Sequence, residues 1–245
     1  MHHQRDFARR SRAQSTFPDL APLDPSTVAT ATPVAVPRPP RTEADLASSS
    51  LRVTAMSMTN MALYGDLFVE FMRARRGVFI DTLKWNLPQT DGMEFDQYDT
   101  PEARWVAVHE YGEVLAGIRL MPTTSRCACY SYMLRDAQLG LLPGIPDDVL
   151  FFKAPVEPKT WEATRLFIVD GVDAKRRPQV QRLLLNAMQQ TAVDNGATSV
   201  IGIVPAVFSR WLKRIGMDAS PVGPKFCIDG TWSQAALFGL KHYFQ

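Results

Sequence analysis

Residues 75–99 bring cationic, aromatic and acidic side chains together in one short stretch, RRGVFIDTLKWNLPQTDGMEFDQYD. The stretch begins with two arginines, passes a phenylalanine and a tryptophan, and ends in carboxylates spaced two and three residues apart. Aromatic faces attract cations, and carboxylates and guanidinium groups make charge-assisted hydrogen bonds. The spacing therefore predicts a site that holds a charged ligand. Its candidate residues are Arg75, Phe79, Trp85, Glu94, Asp96 and Asp99.

Two later segments add candidate residues: Arg119 in GIRLMPT, and Glu162 with Arg165 in WEATR. In a regular strand Glu162 and Arg165 would point to opposite faces, unless a bulge intervenes. Each candidate also has an ordinary structural explanation, as a solvated charge, a core aromatic residue or a turn former. The combination is more specific than any of its members.

The hydrophobic pattern before and between these segments predicts the elements that position them. LYGDLFVEFMRARRGVF predicts an amphipathic helix, a loop with Pro88 and Gly92 follows, and RWVAVHEYGEVLAGIRLMPT predicts two strands around a Tyr-Gly turn. Short helices and loops are expected over 125–159, where Pro and Gly recur. The apolar face of the first helix consists of Leu63, Leu67, Phe68, Phe71 and Met72.

The second half of the chain predicts a strand–helix–strand unit followed by a helix and a hairpin. TWEATRLFIVD and TSVIGIV are typical of strands, and RPQVQRLLLNAMQQTAVDNG is typical of a helix, with Pro178 early in it and Gly196 past its end. AVFSRWLKRIG predicts another helix, and KFCIDGTWSQAALFGL a hairpin around Asp229-Gly230. This order predicts an α/β fold, a three-layer α/β/α sandwich with one mixed sheet.

Residues 1–50 differ from the rest, because they are rich in Pro, Ala, Ser and Thr and lack periodicity. They predict a disordered extension, followed by a single domain over 51–245. The extension starts with several arginines, for which a solvated tail is favoured over a contact with nucleic acid. The chain as a whole has a net charge of +2, so any basic patch must be local and no nucleic-acid partner is expected.

The three cysteines, Cys127, Cys129 and Cys227, are too few for a disulfide framework and favour a reducing compartment. Cys127 and Cys129 lack the second pair of ligands that a zinc site needs, so no metal is expected. No apolar run of about 18 residues and no secretory signal is visible, which predicts a cytoplasmic protein without membrane contact.

The four motif segments together resemble the LuxI-type acyl-homoserine-lactone synthases. The family pattern is an arginine, a phenylalanine four residues on and a tryptophan six further, then Asp-x-x-Asp, Gly-x-Arg-Leu-x-Pro-Thr and Trp-Glu-x-Ser/Thr-Arg. The matching segments here are VFIDTLKW, EFDQYD, AGIRLMPT and WEATR, and the resemblance covers about residues 60–240. The residues that fall on the pattern are Arg75, Phe79, Trp85, Asp96, Asp99, Arg119, Glu162 and Arg165.

This resemblance implies a GNAT-like mixed sheet with splayed central strands. It implies acyl transfer from an acyl thioester to the amino group of S-adenosylmethionine (SAM), which is a substrate and not a cofactor. Lactone closure then expels methylthioadenosine (MTA) and gives a quorum-sensing signal. By the same resemblance, the acyl donor is an acyl carrier protein or acyl-coenzyme A.

The resemblance and the residue chemistry together assign a role to each candidate. Glu162 is the candidate base that deprotonates the SAM amino group. The other catalytic candidates are Asp96, Asp99, Arg119 and Arg165. Arg75, Phe79 and Trp85 are expected to bind SAM, through its carboxylate and its sulfonium.

The acyl side of the site is predicted from Leu166 and Gly202. Leu166 stands where the family often has a phenylalanine, and Gly202 where many relatives have a threonine that is associated with 3-oxo acyl chains. The segment DAKRRPQVQ lacks the glycines that cradle the coenzyme A pyrophosphate in ordinary GNAT enzymes. A basic face that suits an acidic carrier protein, or a solvated helix surface, is formed by Lys175, Arg176, Arg177, Arg182, Arg210, Lys213 and Arg214.

Two other functions compete with this one. A generic GNAT-type acyl-CoA N-acyltransferase fits the same fold, but the missing glycine-rich turn argues against it. A non-catalytic protein that binds an acyl or SAM-like ligand is a second alternative, and the complete set of acidic and basic groups argues against it.

Overall fold

The computed structural model describes residues 50–206, 219–228 and 230–240. The predicted extension over 1–50 lies outside this part of the chain except for its last residue, so its disorder stays a prediction. Nearly all of the helix predicted for AVFSRWLKRIG is also outside the described residues, together with Arg210, Lys213 and Arg214.

The first half of the domain is a long helix that leads into antiparallel strands. A 3₁₀ turn, Met61–Tyr64, precedes the helix, and a π-helical turn, Gly77–Thr82, continues it. The elements are β1 (Leu51–Met56), α1 (Leu67–Arg76), β2 (Gln89–Thr90), β3 (Met93–Glu94), β4 (Arg104–Glu110) and β5 (Glu113–Pro122).

The second half supplies the strand–helix–strand unit and the final hairpin. Its elements are α2 (Met133–Gln138), β6 (Thr160–Ile168), α3 (Arg177–Asp194), β7 (Ser199–Pro205), β8 (Ala219–Ile228) and β9 (Thr231–Gly239). The sequence predictions of β4, β5, β6, α3, β7 and the hairpin are confirmed, and α2 is one of the short helices expected over 125–159.

Within the described ranges, seven strands form one sheet in the order β1-β4-β5-β6-β7-β9-β8, and β2 and β3 form a separate hairpin. Within this sheet β6 and β7 run parallel and the other neighbours run antiparallel. The predicted mixed sheet is therefore confirmed. No helix in the described part of the chain is long and apolar enough to cross a membrane.

The two long helices cover opposite faces of the sheet. Val106 and Val108 of β4 pack in the core cluster that contains α3, whereas Trp105 and Ala107, which alternate with them, pack in the cluster that contains α1. Successive residues of a strand point to opposite faces, so α1 and α3 lie on different sides. The predicted three-layer α/β/α sandwich is confirmed.

The ladder between β6 and β7 is short, which produces the predicted splay of the central strands. It comprises three pairs: Thr160 with Ser199, Trp161 with Val200, and Glu162 with Ile201. Beyond Glu162 the two strands no longer pair with each other, although β7 stays paired with β9 as far as Pro205. The ladder therefore ends at Glu162, and the gap between β6 and β7 opens beyond the contact of Ala163 with Gly202.

A bulge in β6 alters which side chains share a face. The register shifts between Gly117 and Arg119 of β5, so that Ile118 lies opposite two residues, Arg165 and Leu166. Arg165 has a positive φ of 55°, an uncommon conformation for a residue other than glycine. The extra residue turns the Arg165 side chain toward the α1 face, although regular alternation would have placed it opposite Glu162.

The helix prediction was wrong at its start. Leu63, predicted on the apolar face, lies in the 3₁₀ turn and is 80% exposed. Gly65, with φ of 59°, separates this turn from α1. The sequence prediction also missed β1 and the β2–β3 hairpin, whose tight turn contains Asp91 and Gly92 at positive φ. An Asp-Gly pair is a known hairpin signal, so the second omission was avoidable.

Candidate active site

The predicted site residues converge on the face of the sheet that carries α1 and α2. Three guanidinium groups and three carboxylates meet there, and their side chains are nearly or completely inaccessible to solvent. Together they are called the ionic cluster below. It consists of Arg75 from α1, Glu94 from β3, Asp96 and Asp99 from the following loop, Arg119 from β5 and Arg165 from β6.

Arg75 lies in the last turn of α1, on the side that faces the sheet. Its Nε donates to Glu94 Oε2 at 2.5 Å, and its Nη1 and Nη2 donate to Asp99 Oδ1 and Oδ2 at 2.7 and 3.1 Å. The arginine is completely buried. Its guanidinium is therefore already engaged by protein carboxylates, which differs from the predicted contact with the SAM carboxylate.

Arg119 projects from the centre of β5 and links two elements. Its Nη1 and Nη2 donate to Asp96 Oδ1 and Oδ2 at 2.5 and 3.2 Å, and its Nε donates to Thr164 Oγ1 at 3.0 Å. The Asp99 carboxylate lies 3.0 Å from Nη1. The ring of Tyr98 covers the guanidinium, with Cζ 5.5 Å from the ring centroid. Arg119 is thus held from several sides.

Arg165 reaches the cluster because of the bulge in β6. Its Nη2 donates to Asp96 Oδ2 at 2.8 Å and to Glu94 Oε1 at 3.2 Å, and its Cζ lies 5.6 Å from the ring centroid of Phe79. Its side chain is 9% exposed, more than the other cluster members. Arg165 therefore forms the rim of the ionic cluster.

The cluster keeps its aspartates ionised. Burial raises the pKa of Asp96, but the charges of Arg119, Arg165 and Arg75 outweigh burial and hold that pKa well below its usual range. Burial likewise raises the pKa of Asp99, and Arg119 and Arg75 more than reverse the effect. Three positive and three negative groups balance one another inside the protein.

Glu162 lies apart from these ion pairs. It is completely buried at the last pair of the β6–β7 ladder, and it forms no salt bridge with any described residue. Its carboxylate accepts the backbone N–H groups of Met133 and Leu134, at 2.9 and 2.7 Å. Burial raises the pKa of Glu162 to about 7, although the two N–H groups and Arg119 lower it. A carboxylate with this pKa can accept a proton near neutral pH.

A second buried carboxylate without an ion pair among the described residues lies close to Glu162, and the sequence prediction did not include it. Asp136 of α2 accepts the N–H and the O–H of Ser131, and the Tyr98 hydroxyl donates to it at 3.0 Å. The sequence offers no signal for this role, since Asp136 appears there as one acid in a short amphipathic segment.

The two predicted aromatic residues lie together at the edge of the site. Phe79 is buried, and half-buried Trp85 stacks on it with centroids 5.1 Å apart. Phe167 of β6 contacts Phe79 edge to face at 6.2 Å. The aromatic surface that remains accessible is therefore that of Trp85.

The two predicted acyl-pocket residues lie on the other face. Leu166 is half-buried and packs against the core cluster that contains α3. Gly202 follows Ile201 in β7, and a Cβ added to it would lie 2.6 Å from the backbone oxygen of Ala163. The close approach of β6 and β7 at this point excludes any larger side chain without a shift of backbone.

Glu94, a member of the ionic cluster, and Trp105, which contacts the cluster, had no role assigned from the sequence. Glu94 joins Arg75 to Arg165, and the buried Trp105 donates its Nε1–H to Asp99 Oδ1 at 2.9 Å. A buried indole N–H requires an acceptor, which was a usable signal for Trp105. Among the described residues, no group of His, Cys, Asp and Glu side chains is arranged to hold a metal ion, and Cys127 and Cys129 are exposed.

A mixed sheet whose central strands part beside a buried glutamate is the architecture of the GNAT-like fold. The family model described as "Autoinducer synthase" matches residues 59–238. The chain belongs to this family.

Individual relatives agree with that assignment. An acyl-homoserine-lactone synthase from Ralstonia solanacearum is 33% identical over 162 residues, which are 64% of this chain and 74% of the relative. The isovaleryl-homoserine lactone synthase of Bradyrhizobium diazoefficiens is 27% identical over 195 residues, 77% of this chain and 80% of the relative.

Solved structures share the architecture. TofI, solved in a ternary complex with an inhibitor and MTA, is 26% identical with a TM-score of 0.62, over 78% of this chain and 92% of TofI. BjaI, a CoA-dependent acyl-homoserine lactone synthase solved with SAM and isopentyl-CoA, is 24% identical with a TM-score of 0.63, over 78% of this chain and 84% of BjaI. The predicted fold, family and activity, acyl-homoserine-lactone synthesis, are confirmed.

Proposed function

We propose that the active site described above joins an acyl thioester to SAM in two steps. The SAM amino nitrogen attacks the thioester carbonyl, the C–S bond of the thioester breaks, and an amide and a free thiol result. The methionine carboxylate then attacks its own γ-carbon, the bond from that carbon to the sulfonium breaks, and neutral MTA leaves with the pair of electrons. The product is an N-acyl-homoserine lactone.

The observation that carries the proposal is the position of Glu162 at the point where β6 and β7 part. An ammonium group must lose a proton before it can attack, and Glu162 is a buried carboxylate whose pKa of about 7 suits that task. The gap between β6 and β7, which opens beyond this ladder pair and the adjoining contact of Ala163 with Gly202, is the proposed route of the thioester to the same place. Backbone groups of β6 that lack a β7 partner are available to polarise the thioester carbonyl.

SAM is proposed to lie on the α1 face, between the ionic cluster and Trp85. Arg165 and Asp96 keep a small solvent-exposed surface at the rim of the cluster and are assigned to contact the substrate. Arg75 is completely buried and saturated, so we assign it, with Asp99 and Glu94, to hold Arg119 and Arg165 in position. This revises the role predicted for Arg75 from the sequence.

The acyl chain is proposed to extend toward the α3 face, beside Leu166 and Gly202. Both residues lie on that side of the sheet, opposite the ionic cluster. The two substrates would then approach the gap between β6 and β7 from different faces and meet at Glu162.

The acyl donor is proposed to be a thioester of coenzyme A or of acyl carrier protein. BjaI, which shares the fold, was solved with isopentyl-CoA, and this supports coenzyme A. The exposed Lys175, Arg176 and Arg182 at and before the start of α3 support an acidic carrier protein, although Arg176 also pairs with Glu110. Arg177, predicted in the same basic face, is buried and its Nη2 lies 3.4 Å from the carbonyl of Val169. A cytoplasmic location stays a prediction.

To determine which acyl donor the protein uses, the same acyl group is offered on coenzyme A and on acyl carrier protein. Isovaleryl-CoA and isovaleryl carrier protein are compared by kcat/KM with wild-type protein and with Arg182→Glu. If the carrier protein docks on α3, Arg182→Glu lowers kcat/KM several-fold for the protein-bound donor and leaves the coenzyme A donor unchanged. The exposed Arg126→Glu serves as a charge-matched control.

The reaction is tested by incubating the protein with SAM and each thioester and analysing the products by mass spectrometry. Lactone and MTA are expected in equal amounts. S-adenosylhomocysteine, which lacks the sulfonium leaving group, should give no lactone. An N-acylated product without MTA would overturn the proposal in favour of a generic N-acyltransferase, and the absence of any acylated product would indicate a binding protein.

A further inference from the structure

Asp136 holds together the short segment that contacts Glu162. Its carboxylate accepts the Ser131 N–H at 2.9 Å and the Ser131 Oγ–H at 2.6 Å, which closes the segment Ser131–Asp136 on itself. Between these two ends lie Met133 and Leu134, and their N–H groups are the ones that Glu162 accepts. The orientation of the Glu162 carboxylate therefore depends on a turn that Asp136 fixes.

Asp136 also brings a negative charge close to Glu162. It is completely buried, and it accepts hydrogen bonds from two hydroxyl groups and one backbone N–H without an arginine or lysine partner in the described chain. The carboxylates of the ionic cluster differ, because each of those pairs with at least two arginines. Asp136 and Glu162 are thus two buried acids that form no salt bridge with any described residue and are held by one turn.

We propose that Asp136 is a positioning residue for the reaction, which fixes the carboxylate of Glu162 and strengthens its hold on the proton that it removes from the substrate. This inference rests on the proposed role of Glu162 as the base. Asp136 is completely buried and is assigned no contact with SAM. It acts through the Ser131–Asp136 turn and through its charge.

The groups that face Glu162 determine in which direction its pKa changes when the Asp136 charge is removed. They are Arg119 from β5, Asp136 from α2, and the phenols of Tyr98 and Tyr132 from the two loops that pack above the sheet. Arg119 favours the ionised glutamate and Asp136 opposes it, whereas both phenols stay neutral because burial raises the pKa of each. Burial still raises the pKa of Glu162 when the Asp136 charge is removed, but one of the two effects that raise it is lost, so Glu162 becomes a weaker base.

Asp136→Asn tests the proposal because it removes the charge and keeps the shape of the side chain. The acid limb of the plot of kcat/KM against pH is expected to shift to lower pH by about one unit. At pH values above this limb, turnover is expected to be several-fold lower than in wild type. The titration of SAM is common to both proteins, so it cancels in the comparison. Asp147→Asn, an exposed substitution in the loop after α2, is the control and should leave the profile unchanged.

Tyr98→Phe is expected to shift the acid limb of the pH profile in the opposite direction. It removes one hydroxyl that donates to Asp136 and leaves the carboxylate less compensated, so the acid limb is expected to move up. A purely structural role for Asp136 would lower the melting temperature and turnover in both variants without moving the limb in opposite directions.

A direct titration separates this inference from the proposed function. The side-chain carboxyl of Glu162 is followed by ¹³C NMR in protein labelled at glutamate, with Glu162→Gln identifying its resonance. A lower midpoint in Asp136→Asn than in wild type is expected, whether or not lactone is formed. Coincident midpoints in folded Asp136→Asn and wild type would overturn the inference, whereas failure of the wild-type protein to make lactone would overturn only the proposed function.

Discussion

Trp85 lies face to face with Phe79, with their planes inclined by 27° and their centroids 5.1 Å apart. At this spacing the rings contact each other and no sulfonium fits between them. Phe79 also contacts the guanidinium of Arg165. Of these two rings, the half-buried face of Trp85 is consequently the surface that remains accessible to a ligand.

Trp85→Ala is therefore expected to weaken SAM binding about tenfold, which corresponds to a desolvated cation–π contact. Binding of S-adenosylhomocysteine, whose thioether is neutral, should change much less. Both affinities are measured by calorimetry, with Trp232→Ala as the control because Trp232 is 62% exposed on β9. An equal loss for both ligands would mean that Trp85 acts by shape and not by attraction to the cation.

Glu162→Gln is expected to lower turnover by about 10²–10⁴-fold, the usual contribution of a positioned base. SAM affinity should stay within about twofold of wild type, because Glu162 accepts N–H groups of the protein and is not assigned to SAM binding. Initial rates and calorimetry measure the two quantities separately. Unchanged turnover would remove Glu162 from the mechanism.

Asp99→Asn is expected to destabilise the protein by about 3–5 kcal/mol, because it leaves buried arginines uncompensated. Asp99 accepts from Arg75 and Trp105 and lies 3.0 Å from Arg119. Urea denaturation gives the free energy of unfolding. Asp81→Asn, which breaks the exposed pair between Arg76 and Asp81, is the control and should cost at most about 1 kcal/mol. Similar costs for both variants would contradict the structural role of the cluster.

The pH dependence of stability should show two opposite slopes. The pKa values of Asp96 and Asp99 are lowered in the folded state, so their contribution is present above about pH 4 and is lost as the pH falls further. The folded pKa of Glu162 is raised to about 7, so its contribution is lost as the pH rises from about 4.5 through 7. Urea denaturation should therefore give the largest free energy of unfolding between about pH 4 and 4.5, with a decrease on both sides. Glu162→Gln should remove the decrease on the neutral side. A wild-type curve that is flat between pH 5 and 8 would contradict the raised pKa.

Gly202→Ala is expected to destabilise the protein by about 1–3 kcal/mol, since the added methyl would meet the backbone oxygen of Ala163 at 2.6 Å. The spectrum of lactones should also shift toward shorter acyl chains, because the methyl lies on the face assigned to the acyl group. Gly171→Ala is the control, since a Cβ there has no neighbour within 4 Å. Mass spectrometry of the products and urea denaturation provide the measurements.

The sequence predicted that the residues of the ionic cluster lie close together, but it did not predict several of their partners. The spacing of the motifs identified Arg119 and Arg165, and the structure brings both to Asp96. The sequence could not show whether these arginines pair with carboxylates of the protein or with the carboxylate of the ligand, because spacing along a chain does not reveal which side chains are buried. For this reason Arg75 was assigned to SAM and lies instead in the interior.

The bulge illustrates the same limit at the level of one strand. Period-two alternation places Glu162 and Arg165 on opposite faces, and only the single extra residue in β6 brings Arg165 to the carboxylates. No residue in WEATRLF is typical of a bulge, so the pattern predicted the strand but not its irregularity. Edge strand β1 was missed because it precedes every motif and is paired on one side only.

The balance of three cations and three anions inside the ionic cluster has a practical consequence for solution work. Ions of the buffer screen exposed charges over a Debye length of about 8 Å at physiological ionic strength, but they hardly reach pairs inside the protein. Added sodium chloride should therefore leave the cluster intact and weaken any docking through Lys175, Arg176 and Arg182. Ionic strength thus offers a simple way to distinguish what happens at the surface of this enzyme from what happens within it.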